Sequence, residues 1–324
     1  MKYDNIVLNR LVKGLKIGSI IYRCFDKEKI NEVERFELVN KKIRHIYEKS
    51  STVLIEGKTK QGTESLSSNY YDSFIIKSHP LDEEYKLMVL TSGYGFVDLD
   101  DKSKIKSSEF VANNLEKWFL NLGCDDLDLF KVDSFHSSLS NLIKNTSDVL
   151  YKLGSNGVKA IMALIGPEYT YVCNVGDLRC YLDNGNNLFQ FNEEDSYLWS
   201  CYRDGYFADK EEFRFSRMKD LDVGMLGVNR ENFTSTYVTT TDSFERIFLF
   251  SRGVVDCLSE GKIYDIKECV SSSGRVVDAL VSHSSNGKKE YMNNFEVEHS
   301  SEIIPVIHGQ KDTTVCCYSK VLKK

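Results

Sequence analysis

The chain has 324 residues, of which 41% are hydrophobic and 28% charged, with a formal net charge of −6. That length holds one large domain or two ordinary ones, and the composition is that of a globular protein. The negative balance excludes a global attraction to nucleic acid or anionic membrane. Three prolines and no low-complexity tract leave little room for a long linker.

No stretch approaches the ~18 apolar residues that span a bilayer. The apolar segment at residues 15–22 is broken by Lys16 and Gly18, so a signal peptide is not expected. The nine cysteines are scattered, odd in number and never in a CxxC pair. That pattern predicts reduced thiols in a cytoplasmic protein and argues against a zinc site of paired cysteines.

In chain order, residues 1–50 form a first unit, a helical N-terminal extension. Ile6, Leu8, Leu11, Val12, Leu15 and Ile17 alternate with Arg10, Lys13 and Lys16 as a basic amphipathic piece. A charged stretch over residues 27–49 then carries Ile30, Val33, Phe36, Ile43, Ile46 and Tyr47 near helical spacing. The second unit, residues 51–324, opens with strands at 52–56, 72–77 and 86–91. Helices follow at about 107–122 and 132–153. Strands return at 159–166 and 169–175, joined by Gly166-Pro167-Glu168 as a hairpin turn. A second hairpin joins 179–182 to 187–191. Later strands lie near 234–239, 246–250 and 314–318, with helices near 262–271 and 275–284. Strands and helices that do not alternate predict an α+β protein with antiparallel sheets and segregated helices.

Several segments carry motif-like order. Asn174-Val175-Gly176-Asp177-Leu178-Arg179-Cys180-Tyr181 is similar to an Asn-Val-Gly-Asp-Ser-Arg-x-Tyr hairpin. Gly157-Val158-Lys159-Ala160 is similar to a Gly-Thr-Thr-Ala strand, and Gly224-Met225-Leu226-Gly227 to a stretch ending Leu-Gly. Phe250-Ser251-Arg252-Gly253-Val254-Val255-Asp256 resembles a strand ending Ser-Asp-Gly-(Leu/Val)-x-Asp. In this order and spacing they resemble the metal-dependent type 2C (PPM-type) Ser/Thr protein phosphatases, over about four-fifths of the chain. The resemblance implies a four-layer αββα sandwich of two antiparallel sheets flanked by helices.

It also implies a cluster of aspartates holding two Mg²⁺ or Mn²⁺ ions, which supply a nucleophile and neutralise phosphate. The positions matching that cluster are altered. In the Arg-x-x-Asn-(Glu/Gln)-Asp motif, Ser67 takes the place of the phosphate-gripping arginine and Asp72 keeps the metal aspartate. In Asp-Gly-(His/Met)-Gly-Gly, Ser92 replaces the bridging aspartate, Gly93 keeps its carbonyl and Tyr94 replaces the histidine. Asp177 matches an accessory ligand. Arg252 replaces an aspartate before the retained Gly253, and Asp256 matches a structural position. In the last motif, Asp-Asn-x-Thr, either Lys311 takes the aspartate slot or a one-residue shift places Asp312 there.

Asp72, Ser92, Arg252 and Lys311 together carry +1, where four aspartates carry −4. At an effective dielectric of ~20 and ~4 Å, one basic group against a divalent ion costs on the order of 8 kcal/mol. The expectation is a degenerate site with no catalytic residue and no cofactor, in which Arg252 and Lys311 pair with Asp72 and Asp177. The alternative is a weak phosphatase binding Mg²⁺ or Mn²⁺ through Asp72, Asp177 and Asp312. The altered site predicts a pseudophosphatase acting through a protein partner: a kinase, a phosphatase or a phosphoprotein.

Other chemistry is not expected. His79 and His136 read as surface residues without a nucleophile motif, and Glu193-Glu194-Asp195 as a solvated turn. Only one side chain of Cys316-Cys317 is expected to face the core. Gly93-x-Gly95 lacks the context of a nucleotide loop. The first 50 residues and an insertion over about 284–309 are the places to seek a binding surface.

Overall fold

A computed structural model of the chain describes residues 20–24, 34–39, 43–49, 53–63, 70–100, 103–123, 127, 134–207, 215–216, 224–228, 234–270, 275–286, 289–290, 306–308 and 310–320. In chain order the strands are β1 (Ile20–Cys24), β2 (Glu34–Val39), β3 (Ile43–Lys49), β4 (Val53–Lys60), β5 (Tyr70–Ser78), β6 (Lys86–Tyr94), β7 (Phe96–Asp100) and β8 (Ser103–Lys106). Then follow β9 (Val158–Ile165), β10 (Tyr169–Val175), β11 (Arg179–Asp183), β12 (Leu188–Gln190), β13 (Ser235–Thr240), β14 (Arg246–Phe250), β15 (Lys289–Glu290), β16 (Val306–Ile307) and β17 (Thr313–Lys320). The helices are α1 (Ser107–Leu120), α2 (Ser134–Lys152), α3 (Tyr197–Arg203), α4 (Arg252–Val255), α5 (Glu260–Val270) and α6 (Val276–Ser284).

Two antiparallel sheets stack face to face. One has the order β1-β2-β3-β4-β17-β14-β11-β12 and the other β13-β10-β9-β6-β5. β9 shows why. Its sequence is apolar apart from Lys159, and every residue is buried. Ala160, Met162 and Leu164 point to one core, with Val111, Leu115 and Phe119 of α1 and Leu139, Ile143 and Leu150 of α2. Ile161, Ala163 and Ile165 point the other way, against Ile247 and Leu249 of β14 and Cys316 of β17. Period-2 alternation thus feeds two cores at once, so the strand reads as a continuous apolar run.

A third core lies outside the first sheet, where Ile263 and Ile266 of α5 and Val276, Val277, Leu280 and Val281 of α6 meet Phe248, Phe250 and Val315. Each fully buried side chain of this kind stabilises by roughly 1.5–3 kcal/mol relative to exposure. The result is the expected four-layer αββα sandwich.

The N-terminal part differs from expectation. Where the sequence predicts a helix over 27–49, β2 and β3 pair antiparallel, and β3 pairs with β4 in register Ile46↔Gly57. The helical spacing of Ile43, Ile46 and Tyr47 is misleading because β3 is covered on both faces: Ile46 enters the core between the sheets, while His45 lies buried on the outer face. The basic piece at 6–17 lies outside the described residues, as does most of the 284–309 insertion. Elements not anticipated include the β7–β8 hairpin, the β15–β16 pair, the single turn α4 and α3, whose N-terminus is capped by Ser196 accepting from the Trp199 N–H at 3.1 Å.

His79, expected at the surface, is fully buried, with its ring 5.0 Å from that of Phe119 and Nδ1 accepting from the Leu81 N–H. The His136 side chain lies outside the described residues. Both Cys316 and Cys317 are buried, because the two faces of β17 serve different cores.

Candidate functional site

The altered positions converge at one end of the sandwich. Asp72 lies on β5 directly opposite Ser92 on β6. Asp177 sits in the turn between β10 and β11. There Gly176 takes a positive φ of 98°, and a Cβ on it would come within 2.9 Å of Lys159 Cγ. Arg252 opens the single turn of α4, directly after β14. Asp312 precedes β17, and a Cβ on Gly253 would sit 2.0 Å from the Asp312 carbonyl oxygen. Gly253 is therefore what allows α4 and the start of β17 to touch.

Arg252 is only 3% exposed and lies among three carboxylates. Its Nη2 is 2.9 Å from Asp256, its Nη1 3.4 Å from Glu194 and its Nε 3.5 Å from Asp177. Each carboxylate has a second cation. Lys159 Nζ lies 3.0 Å from Asp177, Arg179 Nη2 lies 2.7 Å from Glu194, and Lys311 Nζ lies 3.1 Å from Asp256. Burial pushes the Asp177 carboxyl up, but Lys159 and Arg252 outweigh it and hold the group below the ordinary range. Burial works against the Arg179 charge, yet Glu194 raises its pKa above normal.

Asp72 and Asp312 form a second centre. Asp312 accepts the backbone N–H groups of Gly62 at 2.8 Å and of Asp72 at 3.0 Å. Asp72 accepts from the Ser92 hydroxyl on one oxygen and from Thr314 Oγ1, at 2.7 Å, on the other. Thr314 Oγ1 is in turn 2.7 Å from Thr59 Oγ1. Burial, and then the neighbouring Asp312 charge, raise the Asp72 pKa from 3.8 to about 7.

The expected pairing is corrected in part. Arg252 does meet Asp177, but Lys311 turns to Asp256, and Asp72 is held by hydroxyls and makes no ion pair among the described residues. Asp312, and not Lys311, lies beside Asp72. Tyr94 is more than a third exposed at the end of β6. The Gly93 carbonyl lies on the strand, where a Cβ would come within 2.9 Å of the Gly157 oxygen. Ser67 lies outside the described residues.

Glu194 overturns the reading of residues 193–195 as a solvated turn. It is 4% exposed, while Glu193 beside it is exposed. The loop is pulled inward because Asn192 Oδ1 accepts from the Cys180 N–H at 2.6 Å and the Asp195 N–H bonds the Gly176 oxygen at 2.8 Å. Lys159 was also missed. The signal available was a single lysine in an otherwise apolar strand, which calls for a buried counter-charge.

Comparison with known proteins places the fold. No family model matches the chain. The Ser/Thr phosphatase stp of Listeria welshimeri is 25% identical over 129 residues, 40% of this chain and 51% of that protein. The chain thus spans about half the length of the curated relatives it matches. The S. agalactiae Ser/Thr phosphatase structure superposes with a TM-score of 0.63 at 15% identity, covering 82% of this chain and 99% of that one. The catalytic domain of the phosphatase PstP, in complex with two manganese ions, superposes with a TM-score of 0.56 at 16% identity, covering 84% and 99%. The chain has the type 2C phosphatase fold.

The expectation of no cofactor is corrected by the comparison: the PstP catalytic domain, which shares this fold, is in complex with two manganese ions. The side chains of the present site, as arranged, do not match a two-ion donor set. Asp177 is already held by Lys159 and Arg252, both Asp312 oxygens accept backbone N–H groups, and Ser92 offers a neutral hydroxyl. A divalent ion here competes with Arg252 and Lys159 for Asp177.

Proposed function

We propose that this chain is a phosphatase-fold regulator that acts by binding a protein of a phosphorylation pathway rather than by hydrolysing phosphate esters. The observation that supports this reading most is Arg252, buried among Asp177, Glu194 and Asp256. A guanidinium is always charged and offers five donors in a fixed plane, so it satisfies a carboxylate cage permanently. With Ser92 at the bridging position and Ser67 in place of the phosphate-gripping arginine, a substrate phosphate loses both the group that orients it and the full charge that stabilises its transition state. The partner class is a kinase, a phosphatase or a phosphoprotein. The seven cysteines described are free thiols, which supports a reducing compartment such as the cytoplasm. Among the described residues no helix is long and apolar enough to cross a membrane.

The test is hydrolysis of p-nitrophenyl phosphate and of a phosphothreonine peptide with added Mn²⁺. Turnover at background level is expected. Turnover above background that disappears in Asp177→Ala would overturn the reading in favour of a working phosphatase.

A further inference from the structure

On the outer face of the eight-stranded sheet, three metal-ligating side chains that take no part in the Arg252 network meet. His45 on β3 and Glu56 on β4 are diagonal neighbours in the register His45↔Lys58 and Tyr47↔Glu56. Helix α6 lies over β4 and β17 and brings down Asp278. The His45 imidazole and the Glu56 carboxylate are buried, with His45 Nε2 2.6 Å from Glu56 Oε1, while the Asp278 side chain is 40% exposed. One ligand atom from each of the three lies within 4.8 Å of the others.

We infer that His45, Glu56 and Asp278 form a mononuclear binding site for a zinc-like transition-metal dication. In a four-coordinate site, donor atoms about 2.0–2.2 Å from zinc lie about 3.3–3.6 Å apart, so His45 Nε2 and Glu56 Oε1, now 2.6 Å apart, open to admit the ion and Asp278 closes on it. The imidazole nitrogen selects against the all-oxygen cations Mg²⁺ and Ca²⁺. Three protein ligands leave a fourth position for water, and the exposed side of Asp278 gives the ion a way in. The ligands come from two hydrogen-bonded strands and a helix docked on them, so the frame is rigid. Lys58 is bonded to Asp278 Oδ1. A carboxylate has two oxygens, so Asp278 keeps Lys58 on one and turns the other to the ion, with Lys58 fixing its orientation. Glu56 and Asp278 set two negative charges against the dication, and Lys58 beside Asp278 adds one positive charge at the edge of the site.

The full chain, stripped of metal with chelator and dialysed, is titrated with Zn²⁺ while the melting temperature is followed, and with Co²⁺ while the visible spectrum is followed. Saturable one-to-one binding is expected, with a rise in melting temperature and Co²⁺ absorption of four-coordinate intensity. Asp278→Asn, at a half-exposed position, keeps the fold and weakens binding at least tenfold. His45→Asn does the same if it folds. Lys58→Met retains binding, and Asp177→Asn leaves it unchanged, which separates this site from the Arg252 site. The inference is overturned if wild type shows no saturable Zn²⁺ binding, if Asp278→Asn binds as wild type does, or if Asp177→Asn abolishes binding.

Discussion

Arg252 touches Asp177, Glu194 and Asp256 at once, so one buried guanidinium is shared by three carboxylates. Removing it leaves three buried carboxylates with one cation each. Breaking a buried ion pair by deleting one partner costs about 3–5 kcal/mol, because the remaining charge stays out of water. Arg252→Ala is therefore expected to lower unfolding free energy in urea by that amount. A loss under about 1 kcal/mol would show that water fills the cage and that the arginine is incidental. At this scale the sequence was informative where a carboxylate position changed charge, reversed at Arg252 and neutral at Ser92. It was silent on Glu194, since nothing in three consecutive acidic residues says which one turns inward. That choice is made by Asn192 and Asp195 bonding back to the neighbouring strands.

The short helix α4 joins β14 to the outer helices, and its contact with the start of β17 depends on Gly253. A methyl there meets the Asp312 carbonyl oxygen at 2.0 Å, so the backbone must move apart and take Asp312 away from Asp72. Gly253→Ala is expected to destabilise by about 1–3 kcal/mol. Gly261 in α5 is the control: nothing lies within 4 Å of its added Cβ, and Gly261→Ala should stabilise by about 0.5–1 kcal/mol. Thermal unfolding of both variants checks the sign of each. α1, with one apolar face, and β9, a short continuous apolar run, were legible in the sequence. β3 was not, because its buried residues lie on both faces, its alternation is lost, and its spacing then mimics a helix.

Across the whole molecule, two buried aspartates pull stability in opposite directions with pH. Asp177 has a lowered pKa when folded, so it contributes stability above its unfolded pKa and loses it as pH falls through the folded value. Asp72 rises from 3.8 to about 7, so the folded state holds a proton there that the unfolded chain has released. Its contribution is complete below the unfolded pKa and is lost as pH climbs through about 7. In chelator, with no ion to compensate Asp72, the two contributions cross near the ordinary carboxylate value of 3.8, and stability declines from there until pH passes about 7. Stability should then fall from about pH 5 to about pH 8. Asp72→Asn carries no titrating proton and still offers Ser92 an acceptor, so it should flatten that fall while leaving the acid limb set by Asp177. Urea midpoints at the two pH values for both proteins decide the matter. An unchanged slope in Asp72→Asn would mean that Asp72 is ionised throughout the range, and that the Ser92 and Thr314 hydroxyls suffice to hold its charge.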